Sequence, residues 1–293
     1  FLKLELTNPG GTIQDRIALS MITVAEEEGR ISPGDTLVEA TAGNTGVGLA
    51  LVARQKGYKL KIVMPDKMSV EKNYCLQAMG AEVVLTRSDV NKGHPAYYQD
   101  LAQAIAHESG AFYVNQFCNR ANVEAHYTTT GPEIWQQLDG KIDAFVCGVG
   151  TGGTLTGVGG FLKEMNPEVE IVLADPEGSV LGPLVETGKV PAEIGSWHVE
   201  GIGEDFVPDN CDLSLVDHAY SISDWESFDA AKQLLLQEGI MAGSSSGTLL
   251  AAALKYCQEQ SHAKKVVTLA CDTGNRYLSK VYNDKWTKEH ITL

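Results

Sequence analysis

The sequence lacks the features that mark several broad classes of protein. Its 293 residues include no apolar run close to the ~20 residues that a membrane-spanning helix needs. There is no CxxC pair and the seven histidines are scattered, so we predict no metal site. Basic residues are scarce, since 23 lysines and arginines stand against 38 acidic residues, a net charge of −15. This balance argues against nucleic acid or an anionic membrane as a partner and leaves small molecules.

The six cysteines are scattered singly and form no disulfide or metal pattern. Several lie in apolar runs, such as Cys147 in AFVCGVG and Cys271 in VTLACD. Thiols in such surroundings are typical of reduced core residues in a cytosolic protein. We therefore predict a cytoplasmic location.

Short runs rich in β-branched residues alternate with segments of helical length. In the first helical segment, Ile17, Met21 and Ala25 recur every four residues on one face. This alternation is typical of an α/β protein with mostly parallel sheets. No Pro-rich linker divides the chain, so we expect any second domain to be interleaved with the first. The predicted strands are 36–40, 60–64, 81–86, 111–115, 142–149, 170–175, 213–222 and 265–272, and the predicted helices are 13–28, 46–56, 69–79, 96–108, 124–138, 155–165, 225–237 and 248–259.

Three loops of glycine and small polar residues open predicted helices: TAGNTG (41–46), GVGTGGT (148–154) and AGSSSGT (242–248). Loops of this kind let backbone N–H groups and a helix N-terminus converge on an anion. Each loop alone is also compatible with an ordinary tight turn and N-cap. Three of them, together with NPGG at 8–11, favour one composite anion-binding site.

The second loop also allows a different interpretation. Gly148, Gly150 and Gly153 satisfy G-x-G-x-x-G after a predicted strand, and Asp175 ends the next strand. That arrangement is close to the dinucleotide-binding fingerprint and would suggest an NAD-dependent dehydrogenase. Several strands and helices precede this motif, however, and the hydroxyls of Thr151 and Thr154 suit a terminal phosphate monoester better. We keep the dehydrogenase as a remote alternative.

Seven motifs follow one another along the chain: NPGGTIQDR (8–16), TAGNTG, NQF (115–117), GVGTGGT, DPEGS (175–179), EGIG (200–203) and GSSSG (243–247). This order resembles that in the β-family of pyridoxal-phosphate enzymes of fold type II, which comprises the cystathionine β-synthases and cysteine synthases. The resemblance covers essentially the whole chain. DPEGS and VEGIGEDFVP look more like cystathionine β-synthases, whereas NQF and CDTGNRYLS look more like cysteine synthases.

The resemblance implies a fold similar to that of the tryptophan synthase β chain, with two interleaved α/β domains. A smaller, mobile N-terminal domain would span 8–120, and a C-terminal domain would combine 1–7 with 121–293. The resemblance also implies a homodimer. The cofactor would be pyridoxal 5′-phosphate.

Cofactor contacts carry over from the family residue by residue. Residues 150–154 would hold the phosphate, and Asn44 would bind the phenolic oxygen of the ring. Ser245 would face the pyridine nitrogen, where a hydroxyl limits the ring as an electron sink and favours β-elimination and replacement. The implied cofactor-binding residues are Asn44, Gly150, Thr151, Gly152, Gly153, Thr154 and Ser245.

Substrate contacts carry over in the same way. The first glycine-rich loop, TAGNTG, together with Gln116, would bind the α-carboxylate of an amino acid. Ala42 replaces the serine common in the family, so one side-chain donor is lost. Gly203 would line the entrance, and Glu204 would touch the amino group of a second substrate, unless it is simply a solvated charge. The implied substrate-binding residues are Thr41, Ala42, Gly43, Thr45, Gln116, Gly203 and Glu204.

The important departure from the family is Gln14, which occupies the position of the Schiff-base lysine. That lysine carries the cofactor as an imine and moves the α-proton of the substrate. A carboxamide has no basic nitrogen, so losing the base alone should cost ~10²–10⁴ in rate. Lys3 is the nearest substitute, but it precedes the turn that aims residue 14. We expect the cofactor to be held non-covalently or as an external aldimine.

Two explanations of Gln14 stay open. Either a parent lysine was replaced by engineering to trap a cofactor–amino-acid complex, or the protein is a natural, catalytically silent relative. The intact remainder of the site favours the first. The activity implied by the resemblance is β-replacement on serine with homocysteine, as in cystathionine β-synthase. The alternatives are cysteine synthesis from O-acetylserine and sulfide, and a non-catalytic cofactor- or amino-acid-binding protein.

Overall fold

A computed structural model describes residues 1–41, 43–90 and 92–291. Within these residues the strand pairs are all parallel, and helices and loops connect successive strands, as the alternating sequence pattern predicts. The strands are β1 (Leu2–Leu4), β2 (Thr36–Ala40), β3 (Lys59–Pro65), β4 (Glu82–Thr86), β5 (Phe112–Tyr113), β6 (Ala144–Cys147), β7 (Glu170–Pro176), β8 (His218–Ile222) and β9 (Val266–Ala270).

The strands form two separate parallel sheets. One has five strands in the order β1-β9-β6-β7-β8, and the other has four in the order β4-β3-β2-β5. The first and last strands of the chain are neighbours in the larger sheet, so the smaller sheet is inserted between them. This arrangement is the α/β class with mostly parallel sheets that the sequence predicts. The domain boundaries 8–120 and 1–7 with 121–293 stay a prediction.

Helices connect the strands and cover the sheets. Ile17, Met21 and Ala25 of the first helix are buried, which confirms the predicted apolar face. Within the described residues, no helix is long and apolar enough to cross a membrane. The α-helices are α1 (Gln14–Glu27), α2 (Asn44–Lys56), α3 (Val70–Ala78), α4 (Tyr98–Ser109), α5 (Arg120–Ala125), α6 (Gly131–Gln137), α7 (Gly153–Met165), α8 (Leu181–Thr187), α9 (Asp224–Glu238), α10 (Ser244–Glu259) and α11 (Asp284–His290).

The predicted helix 124–138 is wrong as a single α-helix. The chain instead forms α5, a π-helical turn at His126–Thr130, and α6. Pro132 lies in the first turn of α6. Its missing N–H cannot bond the carbonyl four residues earlier, so the hydrogen-bond register has to change before it. The turn matters for the site because it directs His126 inward.

The predicted strand 213–222 is correct only in its second half. Leu213–Leu215 form a 3₁₀ turn because the Asp212 side chain accepts the Ser214 N–H. The strand β8 begins three residues after that turn, at His218.

Candidate active site

A cavity of about 590 Å³ lies at the carboxyl ends of the strands of both sheets. Thr41 follows β2, Gly148 follows β6 and Cys271 follows β9 at its wall, which is where open parallel sheets bind ligands. Gly43 and Gly153 are not part of the lining, and Ala42 lies outside the described residues. The predicted site residues that line this central cavity are Gln14, Thr41, Asn44, Thr45, Gln116, Gly150, Thr151, Gly152, Thr154, Gly203, Glu204 and Ser245.

Residues 150–154, the predicted phosphate loop and called the phosphate loop below, lead into α7 and are tightly packed by their neighbours. A Cβ at Gly150 would lie closer than 3.0 Å to the Gly201 carbonyl oxygen. A Cβ at Gly152, whose φ is +85°, would lie 2.6 Å from the Cβ of Cys211. Because no side chain fits behind the loop, its backbone can approach the cavity and present its N–H groups there.

The hydroxyl of Thr151 is held by Asn122, a fully buried side chain of α5. The Asn122 Nδ2 donates to Thr151 Oγ1 at 2.8 Å and to the Gln116 carbonyl oxygen at 2.9 Å. A carbonyl can only accept, so this contact fixes the orientation of the Asn122 amide. Thr151 Oγ1 is therefore an acceptor in this contact, and its own proton is available to a ligand.

The hydroxyl of Thr154 is 3.2 Å from His126 Nε2, while Nδ1 of the same ring contacts Thr130 Oγ1 at 2.9 Å. Burial, with a smaller contribution from the Arg16 charge, lowers the pKa of His126 to about 3. The ring is thus neutral at physiological pH and adds no positive charge beneath the phosphate loop.

Asn44 begins α2 and is held by two charged side chains. Its Nδ2 donates to Asp272 Oδ2 at 2.8 Å, and its Oδ1 accepts from Arg276 Nη1 at 3.3 Å. Asp272 also accepts from the Tyr277 hydroxyl at 2.6 Å. These partners give the amide one orientation, with Nδ2 towards Asp272 and Oδ1 towards Arg276.

Gln116 joins the predicted substrate loop to β2. Its Oε1 accepts from Thr45 Oγ1 at 2.5 Å, and its Nε2 donates to the Ala40 carbonyl at 2.7 Å. The Glu39 carboxyl beneath it is fully buried and accepts the Gln116 and Ala40 backbone N–H groups. Burial outweighs these hydrogen bonds and raises the pKa of Glu39 to about 8.

Ser245 lies in the first turn of α10, where the backbone N–H groups of a 16-residue helix are directed at the cavity. The Cys271 thiol is a neighbour of Ser245, and burial raises the pKa of this thiol well above its usual range. All six cysteines are free, but Cys271 and Cys147 line the cavity, which their apolar sequence context does not indicate.

Gln14 is the first residue of α1 and its side chain lines the cavity. The Ile13 N–H donates to the Cys271 carbonyl at 2.8 Å, which fixes the start of this helix at the end of β9. The Gln14 Oε1 accepts a hydrogen bond from the Thr12 hydroxyl. Lys3 is not among the residues that line the cavity, and its ammonium is bound to Glu133 at 2.8 Å, so it is poorly placed to substitute for a lysine here.

Gly203 and Glu204 lie at one end of the cavity. The Gly203 N–H donates to the Val149 carbonyl at 2.9 Å, which joins this segment to the phosphate loop. Burial, and then the like charges of Asp205 and Asp175, raise the pKa of Glu204 well above its usual range. A cationic group is the ligand that would relieve this repulsion.

Asp175 does not behave as the ribose-binding acid of a dehydrogenase. It is fully buried, and its Oδ2 accepts the Gly182 N–H at 2.7 Å. Burial raises its pKa to about 6. The dehydrogenase alternative therefore lacks its key polar contact.

Several residues of the site have no role in the sequence-based prediction. Lys72, Asn122, His126, Asp272 and Arg276 are all buried, polar and in contact with predicted site residues or their neighbours. The sequence signal for some of these residues is the presence of charged residues within the motifs 200–203 and 271–279. Their partners lie far away along the chain and are identified only by the structure. Among the described residues, no group of three or more His, Cys, Asp and Glu side chains is arranged to hold a metal ion.

Comparison with known proteins identifies the family. The model of the family described as "Pyridoxal-phosphate dependent enzyme" matches residues 1–272. This chain belongs to that family. It is 45% identical to a cysteine synthase of Staphylococcus aureus, over 95% of this chain and 87% of the relative. It is 42% identical to a cystathionine β-synthase of Apis mellifera, over 98% of this chain but only 56% of that relative. The chain thus spans about half the length of the curated cystathionine β-synthases it matches.

Solved structures with the same fold include two enzymes of known chemistry. A mutant of O-ureido-L-serine synthase, crystallised with O-ureido-L-serine bound, has a TM-score of 0.88 at 35% identity and covers 98% of this chain and 89% of its own. A hydrogen sulfide-producing enzyme of Fusobacterium nucleatum has a TM-score of 0.86 at 39% identity, covering 94% of this chain and 91% of its own. These similarities confirm the predicted fold type.

The family cofactor is pyridoxal 5′-phosphate, and the non-covalent contacts it needs are compatible with this cavity. The glycines of the phosphate loop have no side chains of their own to hold the backbone away from a ligand, and the loop carries the hydroxyls of Thr151 and Thr154. The amide of Asn44 is held in one orientation, and Ser245 lies at a helix N-terminus. Gln14, which the family resemblance places at the point of covalent attachment, has no amine and does not fit that role.

Proposed function

We propose that this chain binds pyridoxal 5′-phosphate non-covalently, together with a serine-type α-amino acid, in a site built for β-replacement by a thiol. We further propose that Gln14 prevents turnover. The observation that carries this proposal is the position of Gln14, which lines the central cavity together with residues whose contacts otherwise suit the cofactor.

When bound, the cofactor supplies an aldehyde and a pyridine ring that withdraws electrons from the α-carbon of an amino acid. The residues of the chain divide the remaining work. Residues 150–154 bind the phosphate, and Asn44 donates to the phenolic oxygen. Ser245 accepts or donates at the pyridine nitrogen without charging it. Thr41, Thr45 and Gln116 orient the α-carboxylate.

Residue 14 is where a proton would be taken from the α-carbon and returned. A carboxamide at this point has no basic nitrogen at neutral pH, so it cannot accept the α-proton, which stays in place. The expected loss in the proton-transfer step alone is ~10²–10⁴. The same substitution leaves binding possible, because binding depends on the other contacts.

The second substrate we favour is homocysteine, with serine as the first. Glu204 supports this choice because it lines the cavity, and an ammonium group beside it would offset the like charges of Asp205 and Asp175 and favour the ionised carboxylate. Sulfide with O-acetylserine is the second candidate. The cysteine synthase of Staphylococcus aureus supports it, because that relative matches over most of its own length. A cofactor-binding protein without catalysis is the alternative from another class.

The decisive variant is Gln14→Lys. We expect the parent chain, saturated with cofactor, to give no lysine adduct on the peptide containing residue 14 after borohydride reduction, whereas Gln14→Lys gives one. The variant should then turn over serine with homocysteine, or O-acetylserine with sulfide, at least ~10²-fold faster than the parent. Gln14→Met, which has no amine, is the matched control and should stay inactive.

The outcomes separate the alternatives. Turnover by Gln14→Lys supports a β-replacement site disabled at one residue, and the preferred thiol identifies the second substrate. Cofactor binding without turnover by Gln14→Lys supports the non-catalytic binding protein. Failure of the parent to bind pyridoxal 5′-phosphate contradicts both. The predicted homodimer is tested separately by light scattering on the purified chain.

A further inference from the structure

A buried ion pair lies behind the predicted substrate loop, residues 41–45. Lys72 of α3 is fully buried, and its Nζ is 2.7 Å from Glu200 Oε2. The other oxygen, Glu200 Oε1, is 2.7 Å from the ammonium of Lys280. Burying charges is costly unless each has a close partner, so this arrangement needs all of its members in place.

Lys72 contacts the substrate loop directly through its aliphatic stem. A Cβ at Gly43, whose φ is +126°, would lie 2.6 Å from Lys72 Cδ. The stem therefore fills the space behind Gly43, and glycine is needed there both for its conformation and for this close approach. Lys72 thus packs directly against the backbone of Gly43.

The ammonium of Lys72 also connects to Asn44. It lies 4.7 Å from the centre of the Tyr277 ring, a cation–π contact. The Tyr277 hydroxyl donates to Asp272, which accepts the Asn44 amide. Lys72 thus touches the loop that would bind the amino acid and, through Tyr277, the group that orients Asn44.

Glu200 belongs to the segment 200–203, which packs against the phosphate loop and its preceding residue. Its neighbour Gly201 packs its carbonyl against Gly150 of the phosphate loop, and the Gly203 N–H bonds to Val149. Burial opposes ionisation of Glu200, but the charges of Lys72 and Lys280 outweigh it and lower the pKa of the carboxyl. Glu200 is therefore charged, and the pair joins α3, next to the smaller sheet, to a segment of the larger one.

We propose that Lys72 and Glu200 are positioning residues that hold the described part of the substrate loop, residue 41 and residues 43–45, in the geometry that binds an α-amino-acid carboxylate. This inference rests on the proposed function only for the identity of the ligand. The placement of the loop by Lys72 is a property of the protein without ligand. Amino-acid binding should depend on the pair strongly, and binding of the cofactor phosphate weakly.

The experiment compares Lys72→Met with the double variant Lys72→Met/Glu200→Gln. Lys72→Met removes the cation from one oxygen of the buried Glu200 carboxylate and leaves Lys280 as its remaining charged partner, which destabilises the fold. Removing both charges of the Lys72–Glu200 pair should restore much of this stability. The carboxamide introduced by Glu200→Gln can still accept a hydrogen bond from Lys280. A purely structural pair predicts that the double variant recovers both its melting temperature and its ligand affinity. A positioning pair predicts recovery of the melting temperature alone.

Two readouts are taken on the full chain. In the first, protein saturated with pyridoxal 5′-phosphate is titrated with L-serine, followed by absorbance. We expect the Kd for serine to rise roughly tenfold or more in the double variant, within the range typical of coupling between sites, while the Kd for the cofactor stays close to that of the parent. Lys3→Met is the control. It breaks the pair of Lys3 with Glu133, neither of which lines the cavity, and it should change neither affinity.

The second readout is amide hydrogen exchange of the ligand-free protein. The Thr41 N–H bonds to the Val63 carbonyl at 3.0 Å and the Val47 N–H to the Gly43 carbonyl at 3.0 Å, so both report on the loop. These amides should exchange faster in the double variant than in the parent or Lys3→Met. Unchanged exchange of both amides in the double variant would overturn the inference. If the parent binds serine, an equal serine affinity of the double variant would also overturn it. If the parent binds no cofactor or amino acid, the proposed function fails, and the exchange experiment alone decides this inference.

Discussion

Alanine at position 150 should damage cofactor binding without unfolding the protein. Gly150 has an ordinary backbone conformation, so alanine is not excluded by φ. Its Cβ would, however, lie within 3.0 Å of the Gly201 carbonyl oxygen, closer than real Cβ atoms approach such an atom. The atoms that this Cβ would meet are the carbonyl oxygen and carbon of Gly201, which are backbone atoms and not the flexible end of a side chain. The overlap is relieved only if the phosphate loop moves into the cavity or the 200–203 segment moves away.

The size of the effect follows from this overlap. Forcing an extra methyl into a packed site costs about 1–3 kcal/mol, and 1.4 kcal/mol corresponds to about tenfold in a dissociation constant. We therefore expect the Kd of Gly150→Ala for pyridoxal 5′-phosphate to rise about 5- to 150-fold. The loop carries the donors whose spacing must match a phosphate, so the displacement affects binding directly.

The chain offers a matched control in the same helix region. A Cβ at Gly160 of α7 would meet no atom within 4 Å, so Gly160→Ala should bind the cofactor like the parent and gain up to ~1 kcal/mol of stability from helix propensity. Fluorescence titration of cofactor-free protein measures both affinities, and urea unfolding measures both stabilities. If Gly150→Ala binds the cofactor as tightly as Gly160→Ala does, the reasoning from loop packing is refuted.

Two further predictions concern buried groups with shifted pKa values. Because the folded-state pKa of Glu39 is raised from 4.5 to about 8, the parent should lose stability as pH rises between these values. Glu39→Gln has no proton to lose, so urea unfolding should favour it increasingly from pH 5 to pH 8; a constant difference would contradict the shift. The folded-state pKa of His126 is lowered from 6.5 to about 3, so stability should fall as pH drops through this range. His126→Gln should flatten that fall, and NMR of the parent should show no titration of His126 near its ordinary pKa.

Much of the architecture follows from local sequence patterns. Runs of β-branched residues and helical periodicity predict most elements to within a few residues, as β2 and α1 show. Errors occur where a local interaction replaces the expected element. Asp212 caps a 3₁₀ turn inside a predicted strand, and Pro132 breaks the register of a predicted helix. Periodicity does not register either effect.

The sequence by itself determined the alternation of strands and helices, the three glycine-rich loops, and the presence of an amide side chain at residue 14. These features depend on a few adjacent residues and on the chemistry of single side chains. Only the tertiary structure decided which distant groups meet. Lys72 and Glu200 are 128 positions apart, and Asn44 and Asp272 are 228 apart, yet both pairs are buried in direct contact. Such contacts form because parallel strands from two sheets end at one cavity, where buried charges and amides must find partners.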